Sequence, residues 1–264
     1  MRLAGKAAIV VGAGQTPGDT IGNGRATAIM FALEGARVLL VDRDVGSAEE
    51  TRVMIEKEGG TAVTYEADVT DEDACRALAA ACVEAFGRID VLHNNVGIGA
   101  GDAGVIRLEL DAWRRILDVN LTSMFLTCKH VLPVMREQRS GSIINISSLA
   151  AIASTGMAAY KVSKAGVNAL TQQIAIGNAR YGIRCNAILP GLMNTPMAIE
   201  GIAAATGASK EQLIEARNAK VPLGAMGTAW DVAKAAVFLA SDDAKFITGV
   251  LLPVDGGQSV RIGG

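Results

Sequence analysis

Seven short apolar runs, at 7–11, 37–41, 62–65, 90–93, 142–146, 183–188 and 250–253, alternate with longer helical stretches at 25–34, 47–58, 71–86, 111–135, 158–181 and 229–240. The runs are continuous in polarity, not alternating, as expected of strands covered on both faces of a parallel sheet. Parallel neighbours need crossovers, and the intervening helices supply them. Right-handed crossovers repeated along the chain give a doubly wound sheet of about seven strands with helices on both faces. The 264 residues, half of them hydrophobic, suit a single Rossmann-like α/β domain over 1–264. No internal repeat or low-complexity linker divides them.

Residues 192–222 leave this alternation. They are rich in Ala, Met and Gly, follow Pro190-Gly191, and end before a clear helix. Long connections in compact domains are usually functional or mobile, and this one leaves the carboxyl end of a strand, where open α/β sheets bind ligands. The segment reads as a substrate lid, with an ordinary surface helix pair as the alternative. Its Met, Ile, Ala and Leu come without a convergent Arg or Lys, so no handle for a carboxylate or phosphate is expected there. Met193 and Met197 would line a mainly apolar pocket or simply pack.

A formal net charge of −2, with Lys and Arg scattered, argues against nucleic acid or an anionic membrane as partner. No apolar run approaches the roughly 18 to 20 residues needed to cross a bilayer. Arg2 and Lys6 precede an apolar stretch too short for a secretion signal. Cys75, Cys82, Cys128 and Cys185 form no CxxC pair, so a reduced, cytoplasmic protein is expected. His93 and His130 have no ligands at metal spacing, and no metal is expected. Trp113 and Trp230 begin helices and read as packing residues.

The first strand runs into Gly12-Ala13-Gly14, then Gly18, then Gly22-Asn23-Gly24, with a helix from Arg25. Glycines here permit a tight turn and let backbone N–H groups approach a pyrophosphate at the helix's positive end. Asp42 closes the next strand, which strengthens the reading as a dinucleotide site. A carboxylate there accepts both hydrogen bonds of an adenosine ribose diol and repels a 2′-phosphate, so NAD is favoured over NADP. Arg43 follows directly and offers the opposite possibility, a phosphate contact, or stacking on adenine. Asp68 is placed either against the adenine amino group or as a helix cap beside Thr70 and Asp71.

Tyr160 and Lys164 lie four residues apart and share a helix face. They follow Asn145-Ile146-Ser147-Ser148 by one loop, with Asn94-Asn95-Val96-Gly97 and Asp118-Val119-Asn120 earlier in the chain. These motifs, in this order and from Gly5 to Gly257, resemble the short-chain dehydrogenase/reductase family. The resemblance implies a catalytic tetrad of Asn120, Ser148, Tyr160 and Lys164. It implies a cofactor set of Gly12, Gly14, Gly22, Asn23, Gly24, Asp42, Arg43, Asp68, Val69, Asn95, Gly97, Tyr160 and Lys164, with Pro190, Gly191 and Thr195 at the nicotinamide carboxamide. A homotetramer built through the fourth and fifth helices and the last strand is implied as well.

Chemistry supports the tetrad. A tyrosine near pKa 10 is a poor base at neutral pH. An adjacent lysine charge and an oxidised nicotinamide are expected to lower that value, so that Tyr160 can exchange a proton while hydride moves. Ser148 would hold the substrate oxygen, Lys164 the nicotinamide ribose, and Asn120 a water leading to solvent. The sequence departs from the family pattern at Val11, where Thr is usual, at Val96, where Ala is usual, and in six extra residues at about 15–20, read as a flap over the pyrophosphate. Gly24 is then the third glycine of the motif, and either Gly14 or Gly18 touches the cofactor. Ser148 precedes Tyr160 by twelve residues, not the usual thirteen; Ser147 would restore the spacing, but strand register favours Ser148. The leading expectation is an NAD-dependent oxidoreductase for secondary alcohols and ketones. The alternatives are an NADP-linked carbonyl or 3-oxoacyl reductase, a divergent enoyl reductase and a non-catalytic nucleotide sensor.

Overall fold

The computed structural model describes residues 1–153 and 155–261, without the side chains of residues 205 and 206. Strands β1 (Ala7–Val11), β2 (Arg37–Asp42), β3 (Thr61–Glu66), β4 (Val91–Asn94), β5 (Gly141–Ile146) and β6 (Ile183–Pro190) precede a two-stranded ladder of β7 (Met193–Asn194) and β8 (Gly227–Thr228); β9 (Leu251–Val254) is the last. The main sheet is wholly parallel, in the order β3-β2-β1-β4-β5-β6-β9. The helices are α1 (Asn23–Leu33), α2 (Val45–Lys57), α3 (Glu72–Phe86), α4 (Leu110–Leu117), α5 (Ser123–Gln138), α6 (Ala158–Asn178), α7 (Pro196–Thr206), α8 (Lys210–Asn218) and α9 (Ala229–Ala240).

Each strand feeds two cores because successive side chains point to opposite faces. Ala8 and Val10 of β1 pack with Phe31 of α1, Ile55 of α2 and Val232 of α9. Ala7, Ile9 and Val11 pack on the other face with Leu78 of α3, Val131 of α5 and Ile174 of α6. Coverage of both faces of β1, β2, β4, β5 and β6 accounts for their continuous apolar runs. The doubly wound α/β architecture expected from the alternation is the observed one.

The expected helix over 111–135 is interrupted. Between α4 and α5 the chain makes a π-helical turn over Asp118–Thr122, a wider turn that commonly marks functional sites. Asn120 sits inside it and is sealed from solvent. Residues 192–222 form β7, α7 and α8, so they carry a helix pair. Among the described residues, no helix is long and apolar enough to cross a membrane, and no cluster of His, Cys, Asp and Glu could hold a metal ion.

Candidate active site

The strand order reverses between β1 and β4, and at such a point open parallel sheets bind ligands beyond the strands' carboxyl ends. A cleft of about 1770 Å³ lies there. On its first wall, Gly12 turns the chain out of β1 at φ +79°, a left-handed conformation suited to glycine. The chain then returns so tightly that a Cβ on Gly24 would lie 1.8 Å from the Gly12 carbonyl oxygen. Helix α1 begins at Gly22 without a side-chain cap and without an acid in its first turn. Its leading N–H groups and the positive end of its dipole are therefore available to an anion. Asn23 adds a buried Oδ1 that has no partner among the described residues. A dinucleotide's pyrophosphate fits this cradle.

Gly14 lines the cleft and Gly18 does not. Asp42 lines it as well, with Oδ2 accepting from Gly14 N at 2.9 Å and Oδ1 from Asp44 N at 3.1 Å. Arg43 is exposed at the rim. Asp68 accepts from the hydroxyl and backbone of Thr70 at 2.7 and 2.9 Å; these bonds, with the charge of Arg43, hold its carboxyl below the ordinary range. Capping of α3 falls to Asp71, which accepts from Ala74 N at 2.8 Å. Asp68 and the buried Val69 face the cleft.

The opposite wall carries the chemical groups. Asn95 Nδ2 donates to the Gly12 carbonyl at 3.2 Å, tying the end of β4 to the glycine loop. Lys164 is 2% exposed, and its Nζ donates to the Ile146 carbonyl at 2.8 Å. A Cβ on Gly97 would lie only 3.1 Å from that Nζ, so the bare glycine keeps the amine within reach of the cleft. Tyr160 stands one turn earlier on α6, its ring centre 5.8 Å from Lys164 Nζ, and its phenol lies beside Ser148, whose hydroxyl favours the phenolate. Ser148 lines the cleft, whereas Ser147 is buried and donates to the Lys164 carbonyl at 3.1 Å. Pro190, Gly191 and Thr195 line the same space, and Thr195 begins α7 without using its hydroxyl as a cap.

Two expectations about these groups are corrected. The phenol of Tyr160 is raised by its place in the fold, not lowered: burial dominates, and the neighbouring Ser148 opposes it only in part. The lysine expected to supply the charge is itself depressed to about 7 by burial. Asn120, for its part, stands behind the cleft wall. Its Oδ1 accepts from Ile98 N at 2.7 Å, and its Nδ2 donates to Ile98 O at 2.9 Å and Ser163 Oγ at 3.1 Å. It holds the loop after β4 instead of lining the cleft.

A family model described as "Enoyl-(Acyl carrier protein) reductase" matches residues 19–259. The 2,5-dichloro-2,5-cyclohexadiene-1,4-diol dehydrogenase LinX of Sphingobium indicum is 38% identical over 262 residues, covering 99% of this chain and 99% of that protein. A solved chain from Burkholderia xenovorans, described as a short-chain dehydrogenase/reductase, aligns with a TM-score of 0.94 at 41% identity over 99% of both chains. This chain belongs to the short-chain dehydrogenase/reductase family. NAD+-bound xylitol dehydrogenase aligns with a TM-score of 0.89 at 34% identity, over 97% of this chain and 100% of that one.

In this short-chain oxidoreductase the extra residues after Gly14 form an ordered flap. Gln15 closes its base, accepting from Gly22 N at 2.9 Å and donating to Thr20 O at 3.3 Å. The flap's tip rests on α7: a Cβ on Gly18 would meet Glu200 and Pro196 at 2.8 and 2.9 Å. Lys210, at the start of α8, bridges Asp19 of the flap at 2.9 Å and Glu200 of α7 at 2.7 Å. The helix pair of 192–222 thus flanks the cleft, contributing Met193, Met197, Ile202 and Arg217 to its lining.

Two functional positions escape the sequence reading. Asp102 caps α6 from a distant loop, with Oδ2 accepting from Tyr160 N at 2.7 Å and Oδ1 from Ala159 N at 3.1 Å. It thereby fixes the start of the helix that carries Tyr160 and Lys164. Arg217 overturns the expectation that residues 192–222 bring no cation to the cleft.

Proposed function

We propose that this protein interconverts a secondary alcohol and its ketone with NAD as hydride partner, Tyr160 exchanging the substrate's proton. One arrangement carries the reading: the phenol of Tyr160, beside Ser148, shares a cleft with the buried amine of Lys164 and the uncapped start of α1. Bound in its oxidised form, NAD supplies the carbon that accepts hydride and a positive charge beside the phenol. Tyr160 takes the carbinol proton in oxidation and returns it in reduction. Ser148 holds the substrate oxygen with a hydrogen bond that strengthens as charge develops there. Lys164, protonated, favours the phenolate and grips the nicotinamide ribose. Asn120 is a positioning residue that acts through Ile98.

Asp42 accepts the adenosine ribose diol and repels a 2′-phosphate, while the Asp68 carboxylate lies within the field of Arg43 and offsets its charge. Both features favour NAD over NADP, and the likeness to an NAD+-bound dehydrogenase supports the preference. Gly12, Gly14, Gly22, Asn23 and Gly24 surround the pyrophosphate, Val69, Asn95 and Gly97 flank the adenosine and nicotinamide halves, and Pro190, Gly191 and Thr195 hold the carboxamide. Met157, Met193, Met197 and Ile202 give the substrate a mainly apolar surround. The whole chain acts as one catalytic domain. Four free, buried cysteines suit a reducing cytoplasm. Phe125 on α5, Val162 and Ile176 on α6, and Phe246 before β9 are exposed, and a tetramer built through these elements would cover them.

The family model's description raises enoyl reduction as a second reading, which the four-residue spacing of Tyr160 and Lys164 disfavours. A titration of NAD and NADP, followed by assay of secondary alcohols, ketones and an enoyl thioester, separates the possibilities. Tighter binding of NAD and turnover of alcohols is the expected result. Tight binding of NAD with no hydride transfer across the panel, or reduction of the enoyl thioester alone, would overturn the reading.

A further inference from the structure

Arg217 lies half-buried on α8 and lines the cleft with Met157, Tyr160, Met193 and Met197. Among the described residues, its guanidinium makes one side-chain hydrogen bond, from Nε to the Met226 thioether at 3.3 Å. Thioether sulfur is a weak acceptor, and a guanidinium carries five N–H donors. Burial depresses the Arg217 pKa, and among the described residues no neighbouring carboxylate opposes that effect. The acid of α7, Glu200, is held by Lys210 at 2.7 Å, and Glu211 and Glu215 on α8 itself are exposed.

Two other arginines of low exposure are treated differently by this fold. Arg25 donates to Thr51 Oγ1 at 2.9 Å, Ser47 O at 2.9 Å and Glu50 Oε2 at 2.8 Å. Arg184 donates to the carbonyls of Leu239, Ser241 and Ile247 at 2.7, 3.2 and 3.3 Å. Both are structural, each satisfied by protein oxygen. Arg217 is given sulfur and a cleft. A charge kept half out of water without a counter-charge is costly unless a ligand completes it. Its base is firm, because Met226 packs with Ile199 and Val221 in the small cluster that joins α7 to the chain after α8.

We propose that Arg217 is the anion handle of the substrate pocket, selecting secondary alcohols and ketones that carry a carboxylate remote from the carbinol carbon. The apolar body of such a substrate lies along Met157, Met193 and Met197, and the planar guanidinium receives the carboxylate through paired, charge-assisted hydrogen bonds. The handle rests on the alcohol-oxidoreductase reading above, since it presumes that the substrate's other end meets Tyr160. A binding arm in the test keeps the two separable.

The NAD-loaded full-length protein is titrated with cyclohexanecarboxylate and with cyclohexanecarboxamide, two unreactive probes that differ in charge. In parallel, 4-hydroxycyclohexanecarboxylate and its carboxamide are assayed for turnover. The carboxylate is expected to bind at least about tenfold more tightly than the amide. In Arg217→Met that preference collapses through Kd and KM, and Arg217→Lys, which keeps the charge and loses the fork, retains part of it. Equal binding of the two probes by the unsubstituted protein overturns the handle, an outcome that needs no variant to fold. So does an Arg217→Met protein that loses NAD affinity and keeps the carboxylate preference, because the guanidinium then serves a cofactor phosphate. A protein that prefers the carboxylate probe yet turns over no alcohol supports the handle and defeats the alcohol-oxidoreductase reading.

Discussion

Loss of water acts on Tyr160 and Lys164 in opposite senses, raising the phenol and bringing the amine down to about 7. A phenol held above its ordinary value near 10 is a weak base at neutral pH, so oxidation and reduction should respond differently to pH. Alcohol oxidation needs the phenolate, and log kcat/KM is expected to climb with unit slope on the alkaline side until Tyr160 ionises. Ketone reduction needs the phenol and holds through the neutral range, declining only where oxidation levels off. Lys164→Met is expected to remove the charge that the amine carries up to about pH 7, and so to lower the neutral rate about 10²-fold or more. Superimposable pH–rate profiles for the two proteins would remove the amine from the account. At this scale the sequence speaks where partners are local. Tyr160 and Lys164 are legible because four residues make one helical turn, and strand register points to Ser148. Asp102 is silent because the N–H groups it caps lie 57 and 58 residues away. Arg217 reads as solvated helix surface, since only the packing of α7 and α8 decides whether it meets water or the cleft.

The alternation of apolar runs and helices locates every strand of the main sheet to within a residue or two, because burial on both faces leaves a compositional trace. The π-helical turn at Asp118–Thr122 leaves none: a single widened turn preserves the surrounding helical periodicity. The inserted flap is visible as extra length, but its contact with α7 and Lys210 is not, since 191 residues separate Asp19 from Lys210. That contact joins the flap after Gly14 to the helix pair flanking the cleft. Lys210→Ala is therefore expected to raise the NAD dissociation constant a few-fold and to speed cofactor release, with little change in melting temperature because the bridge is partly exposed and screened. Stopped-flow measurement of NAD release checks this. Release at the unsubstituted rate would mean that the flap does not gate the cofactor.

Among the described residues, one imidazole is at odds with the core that surrounds it. His93 on β4 is fully buried, neither ring nitrogen has a hydrogen-bond partner among the described residues, and its ring meets Phe31 edge-on at 5.9 Å. Burial pushes its pKa from 6.5 down to about 3. Between those values the unfolded chain takes up a proton that the folded one refuses, so stability falls as pH drops from about 6.5 toward 3, by up to about 1.4 kcal/mol per pH unit. His93→Leu removes this linkage and two unsatisfied nitrogens, and its melting temperature is expected to exceed that of the unsubstituted protein by a margin that widens on acidification. A constant difference from pH 7 to pH 4 would contradict the assignment.

The double winding of the sheet exists, for this chemistry, to bring the start of α1 and the face of α6 to one cleft. The most direct test is single-turnover hydride transfer by Tyr160→Phe at saturating NAD and alcohol. The phenol-to-phenyl change is expected to leave the NAD dissociation constant within about twofold and to slow hydride transfer by about 10²- to 10⁴-fold. Transfer within a few-fold of the unsubstituted rate, with NAD equally well bound, would take the proton away from Tyr160 and contradict the account.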